Sequence, residues 1–180
     1  MANSLPAINS NDHMYGNPFA TLELVEYGDY ECPYCGRAYP IIKDILHKIG
    51  GEMKFVFRNF PLSKIHRHAF SAAVATEAAG LQNKFWEMHD IIFENQEKLD
   101  IVNLFHFAKS IGLDLERFKN DIQLKALSDK VEKDFDCGIR SGVNRTPTFF
   151  INGKKYDGEL TEDQLFRHLK GLLSGTSVVF

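Results

Sequence analysis

Residues Thr21 to Cys35 read TLELVEYGDYECPYC, and the fold follows from how this stretch divides. Thr21 to Tyr27 has the alternation of a strand and ends at the turn formers Gly28 and Asp29. From Pro33 to Ile49 the spacing becomes helical, with Ala38, Ile41, Ile42, Ile45 and Ile49 on one face. Pro33 suits the first turn of that helix, where the N–H it lacks would have had no partner. Gly50 and Gly51 stop the helix. A second strand, Met53 to Asn59, alternates its apolar side chains at Met53, Phe55 and Phe57. Two strands joined by one helix at this separation predict a right-handed parallel crossover. Cys32 and Cys35 then sit where strand gives way to helix.

From about Ser63 to Ser141 the pattern is helical only. Its segments are marked by Phe70 to Leu81, Phe85 to Ile92, Leu104 to Ile111, Leu115 to Ile122, and Leu124 to about Ile139. Strand character returns at Thr148 to Ile151. Asn152-Gly153 predicts a tight hairpin, because a type I′ turn needs positive φ at both central residues. Lys154 to Asp157 is the expected returning strand. A last helix, Thr161 to Leu173, opens on the capping-box pattern Thr161-Glu162-Asp163-Gln164. Residues 1–20, rich in Asn, Ser and Pro, read as a flexible arm. The organisation expected is an α/β domain from residues 21–62 and 142–175, with residues 63–141 as a helical insertion.

With 44% hydrophobic and 25% charged residues over 180 positions, the chain has the composition of a packed domain. Its net charge of −3 is scattered, with no basic stripe for nucleic acid and no polybasic membrane anchor. No stretch approaches the roughly 20 apolar residues of a membrane helix. The N-terminus, MANSLPAINSNDHMYGNP, lacks the basic start and apolar run of a secretory signal. As written, the sequence reads as cytoplasmic, or as periplasmic or otherwise extracytoplasmic where a leader has been removed.

Three cysteines are too few for a disulfide-stapled secreted domain, and two of them form Cys32-Pro33-Tyr34-Cys35. Disulfide exchange needs a thiolate that attacks and a second thiol near enough to resolve the mixed disulfide. At a helix start, unpaired N–H groups and the positive helix end favour the Cys32 thiolate. Cys35, one turn further in, would lie beneath it. This assigns Cys32 as nucleophile and Cys35 as resolving thiol. A lone CxxC is also half of many zinc sites, for which Cys137 and the seven histidines, His66 and His68 among them, are the remaining ligands. Two other readings therefore stay open: a metal-binding module, and a peptide-binding, chaperone-like domain. For the redox reading no cofactor and no metal is expected.

Strand, CPYC, helix, a helical insertion, then Thr146-Pro147 opening a hairpin: over residues 21–173 this order resembles the thioredoxin superfamily, specifically its DsbA-like branch. The resemblance implies an α/β thioredoxin fold with an inserted all-helical subdomain. It also implies protein or peptide thiol and disulfide substrates, and a redox recycling partner. Pro147 resembles the family's cis-proline beside the active-site pair. Glu26, six positions before Cys32, falls where the superfamily carries a buried acid. Strand parity agrees, placing Glu26 on the face of Leu22 and Leu24, where a desolvated carboxyl could pass a proton to or from Cys35. Pro40 resembles the proline of thioredoxin's active-site helix. Phe60-Pro61-Leu62, His66 and Lys84 to His89 also look like the DsbA-like subgroup, and read first as packing and helix starts.

Within the motif, DsbA's histidine is replaced by Tyr34, and CPYC matches glutaredoxins, so a milder oxidant than DsbA is expected. Thr146 departs from the valine typical of DsbA and looks closer to isomerases and reductases. Cys137 reads as a half-buried helical thiol.

Overall fold

The computed structural model describes residues 6–175. Five strands form one sheet: β1 (His13–Gly16), β2 (Leu22–Gly28), β3 (Met53–Asn59), β4 (Thr148–Ile151) and β5 (Lys154–Lys155). Their order is β1-β3-β2-β4-β5. β2 and β3 run parallel, as the crossover predicts, and the other neighbours are antiparallel. The crossover helix α1 (Pro33–Ile49) keeps the predicted bounds, and Pro40 lies inside it. Between β3 and β4 come α2 (Ala69–Gly80), α3 (Phe85–Phe93), α4 (Ile101–Ser110), α5 (Leu115–Asp121) and α6 (Lys125–Arg140); α7 (Glu162–Leu173) closes the chain's described part.

Period-two alternation sorts β2 onto two cores. Leu22 and Leu24 join Phe55, Phe57, Phe149 and Ile151 on one face, against Ala38, Ile42, Ile45 and Ile49 of α1. At about 2 kcal/mol per fully buried aliphatic side chain, these isoleucines alone fix α1 on the sheet. The intervening helices share this core through residues such as Met88, Leu104 and Phe118. α2 is buried nearly all round, and its six alanines let neighbours approach closely. On the opposite face, Val25, Tyr27, Val56, Phe60 and Phe150 make a smaller core under Phe135 of α6. There a Cβ on Gly138 would stand 2.6 Å from the Phe60 ring, so only glycine lets α6 lie this close.

Several expectations need correction. Residues 9–16 are not an arm without structure: Asp12 ends in a turn and His13 to Gly16 pair with β3. The Arg58 guanidinium grips Asp12 through Nε and Nη2, each at 2.8 Å, and also donates to the Pro6 and Ala7 carbonyls. Burial pushes the Asp12 carboxyl up, but the Arg58 hydrogen bonds and charge, joined by a backbone hydrogen bond at Asn9 and the Lys130 charge, together hold it below its ordinary range. The first five residues of the expected arm lie outside the described residues. Gly50 ends α1 with a right-handed φ of −58°, tightening into a 3-10 turn rather than a left-handed cap. β5 is shorter than the expected Lys154 to Asp157. The hairpin turn itself is as predicted, with positive φ at Asn152 and Gly153. Thr161 caps α7 by accepting from the Gln164 N–H, while the Gln164 side chain turns to Glu159, so only half of the capping box forms.

Candidate functional site

The site lies where β2 hands over to α1. Cys32 is the N-cap of α1, in extended conformation, with Pro33 in the first turn behind it. Both cysteines are free thiols and both are buried, Cys32 3% exposed and Cys35 0%. The Thr146–Pro147 peptide bond is cis and brings the Thr146 carbonyl to 3.5 Å from the Cys32 sulfur. Residues 114 positions apart thus meet at one sulfur.

The surroundings push the two thiols in opposite directions. The Cys32 thiol is pulled down to about 5: the Cys35 thiol donating to it contributes most, burial opposes, and the Thr146 side chain and the N–H groups of Cys35 and Tyr34 add to the lowering. The Thr146 hydroxyl is buried with no partner beside the neutral thiol, so it is free to donate to a thiolate. Burial pushes the Cys35 thiol well above its ordinary value, reinforced by its bond to Cys32 and by the Glu26 and Cys32 charges. The Asp29 N–H, 3.4 Å from the Cys35 sulfur, works weakly the other way.

Glu26 is 3% exposed and sits on the sheet face shared with Leu24, in register with Phe57 and Phe149. Burial first, then the Cys32 charge, pushes its carboxyl up to about 8. A cavity of about 250 Å³ between α1 and α3 reaches Glu26, with the Lys43–Asp90 ion pair in its wall. His89, also lining it, is kept neutral by burial, which pulls it down to about 3, and its Nδ1 lies 3.1 Å from the Tyr30 hydroxyl.

Two supports are not legible in the motif. Asp29 is buried and accepts three hydrogen bonds at 2.8 Å, from the Glu31 and Leu62 N–H groups and from His66 Nδ1. It ties the active-site loop to the segment after β3, and this is the place of His66. Gln96 Nε2 donates to the Tyr30 and Cys32 carbonyls, and it fits because Gly36 has no Cβ to meet its amide. An Asp29→Ala variant leaves three donors unpaired and is expected to lose about 2–4 kcal/mol of stability in urea unfolding. No loss would mean the loop is held by other contacts.

Cys137 lies apart, on the opposite sheet face, half-buried in α6 with its sulfur 2.9 Å from the Tyr27 hydroxyl and 3.7 Å from Arg58 Nη1. Among the described residues no three His, Cys, Asp or Glu side chains are grouped as metal ligands, and Cys137 lies across the sheet from Cys32 and Cys35. Among them, too, no helix is long and apolar enough to cross a membrane.

Beside Cys32 opens a groove of about 970 Å³, running from Tyr34 on α1 past Thr146 and Pro147 to Tyr156 and Leu160. Tyr34, 64% exposed, stands at its rim next to the sulfur pair.

The family model described as Thioredoxin matches residues 9–171. BdbD from Bacillus subtilis, in its oxidised form, superposes with a TM-score of 0.81 at 27% identity, over 96% of this chain and 97% of that one. α-DsbA1 from Wolbachia pipientis gives 0.83 at 23% identity, over 98% of each chain, and shares the fold. In sequence the chain is 40% identical over 167 residues to a Na(+)/H(+) antiporter, NhaA 1, of Mycobacterium sp. strain KMS, covering 92% of this chain. It spans about a quarter of the length of such relatives (27% here), so their names describe proteins with much more chain.

Proposed function

Because this chain belongs to the thioredoxin family and its fold is of the DsbA-like type, we propose that it exchanges disulfides with protein or peptide substrates through a mixed disulfide on Cys32. The observation that carries this reading is the split between the two thiols, Cys32 favoured as thiolate and Cys35 held protonated beneath it.

The Cys32 thiolate attacks one sulfur of a substrate disulfide. A Cys32–substrate disulfide forms, the substrate S–S bond breaks, and the other substrate sulfur leaves as a thiolate. Cys35 then loses its proton to ionised Glu26 and attacks the Cys32 sulfur. The Cys32–Cys35 disulfide forms and the second substrate thiolate leaves, so two electrons have passed to the substrate. Run backwards, the same steps oxidise a dithiol. Glu26 returns its proton to water through the cavity between α1 and α3. Pro147 offers no N–H at the head of β4, which supports pairing of an extended substrate segment with the Thr146 carbonyl. A recycling partner restores the working redox state.

Poise follows from thiolate stability, since a stabilised thiolate favours the reduced form. A Cys32 value of about 5 lies between thioredoxin's, about 7, and DsbA's, about 3.5, which supports an oxidant milder than DsbA.

The test is a Cys35→Ser variant mixed with a disulfide-bonded protein such as insulin. Mixed disulfides should accumulate on non-reducing gels, vanish with dithiothreitol, and be absent when Cys32 is also replaced. Adducts that persist without Cys32, or none at all, would overturn the assignment. Binding that suppresses aggregation equally well without either cysteine would favour the chaperone-like reading.

A further inference from the structure

The groove beside Cys32 is lined by apolar side chains and by charged side chains of one sign. Pro40, Ile41, Pro147 and Leu160 supply apolar surface, and the charged side chains lining it are Arg37, Arg145 and Lys155. No aspartate or glutamate lines it. None of the three cations makes an ion pair among the described residues. Arg37 instead lies over the Tyr34 ring, 4.3 Å from its centroid, and Lys155 donates to the Gly142 carbonyl at 3.3 Å. Other cations of the chain are paired, as Lys43 with Asp90, Lys54 with Glu23 and Arg58 with Asp12, and others, such as Lys64 and Lys98, are not, among the described residues. What sets the groove apart is three cations with no acid among its lining. Glu159, near in sequence, is engaged by Gln164.

In a protein of net charge −3, three cations and no acid along one groove make it locally positive. An anionic occupant would supply the missing partners. Thr146, which lines the groove, also meets the Cys32 sulfur through its carbonyl, so the fitting occupant is the chain flanking the reacting sulfur.

We propose that this groove selects extended substrate segments that carry carboxylates beside apolar residues near the reacting cysteine, with Arg37, Arg145 and Lys155 as the specificity-determining side chains. This rests on the exchange activity proposed above and adds to it the class of substrate. The exchange itself needs none of the three cations. They act on encounter and on the register of the segment, where cationic clefts raise the local concentration of anionic ligands.

Three cysteine peptides test it, identical except for Glu, Gln or Lys two residues to either side of the cysteine, each blocked as a 5-thio-2-nitrobenzoate mixed disulfide. Attack by reduced Cys32 joins it to the peptide sulfur and releases the coloured thiolate, which gives a second-order rate constant. Each constant is divided by that for the neutral thiol β-mercaptoethanol, which removes the peptide's intrinsic reactivity. The Glu peptide should react about tenfold faster than the Gln peptide, and the Lys peptide slower still. The spread should shrink as salt rises towards about 1 M, where the screening length is about 3 Å. Replacing Arg145→Glu together with Lys155→Glu should invert the order. Equal constants for the three peptides in the parent protein, a spread insensitive to salt, or an order unchanged in the double variant would overturn the groove assignment while leaving exchange at Cys32 standing. No reaction with any of the peptides would overturn both.

Discussion

A Cys32→Ser variant should lose at least about a thousandfold of catalysed disulfide exchange, leaving insulin reduction by dithiothreitol at its uncatalysed rate. A hydroxyl has no accessible anion near neutral pH and forms no disulfide, so neither the attack nor the intermediate survives. The fold should not suffer. Cys32 is the N-cap of α1 and makes no side-chain cap as a thiol. Serine is among the best N-caps, able to accept from the N–H groups at the helix start, and should hold or raise stability by about 0.5–1 kcal/mol. Loss of exchange in a protein that melts no earlier isolates the chemistry from the structure. Retained exchange would move the nucleophile elsewhere, with Cys35 too buried to take the role and Cys137 on the far face of the sheet.

Glu26→Gln should separate the two services of the buried carboxyl. In the unfolded chain it titrates near 4.5, in the folded protein near 8. Between those values the folded state holds a proton that the unfolded state has released, so stability falls as pH rises across that window. Glutamine keeps the shape and never ionises. The variant should therefore match the parent at pH 4 and gain on it steadily, reaching about 2–5 kcal/mol by pH 8. Urea unfolding of the disulfide form removes the Cys32 charge and leaves burial, the larger cause, as the source of the difference. In the same variant the resolution step should slow by about a hundredfold, because Cys35 loses its proton acceptor, while Cys32 still attacks. A stability difference that does not change with pH would show that the carboxyl is ionised when folded. Unslowed resolution would remove Glu26 from the proton path.

What was legible in the sequence is what local spacing encodes. The α1 bounds, the parity that buries Glu26, and the positive φ at Asn152 and Gly153 each depend on neighbours a few residues away. β1 escaped because His13 to Gly16 is only four residues at a sheet edge, too short to show an alternation, and gains its order from Arg58 and from stacking of His13 on Phe85. The Asp29–His66 and Gln96–Cys32 bonds span 37 and 64 positions, and no periodicity announces them. The one available hint was Asp29 itself, a buried acid in a turn, which reads from sequence as an ordinary turn former. The groove cations were invisible for the same reason: Arg37 on α1 and Lys155 on β5 are distant in the chain and line one groove only in the fold.

The decisive measurement is the pH dependence of Cys32 alkylation in the reduced protein, followed peptide by peptide so that Cys35 and Cys137 do not contribute. A thiolate held by the helix start, Cys35 and Thr146 should give a midpoint near 5, with Cys35 unreactive across the neutral range. A Cys32 midpoint near the ordinary thiol value of about 8.5 would contradict it.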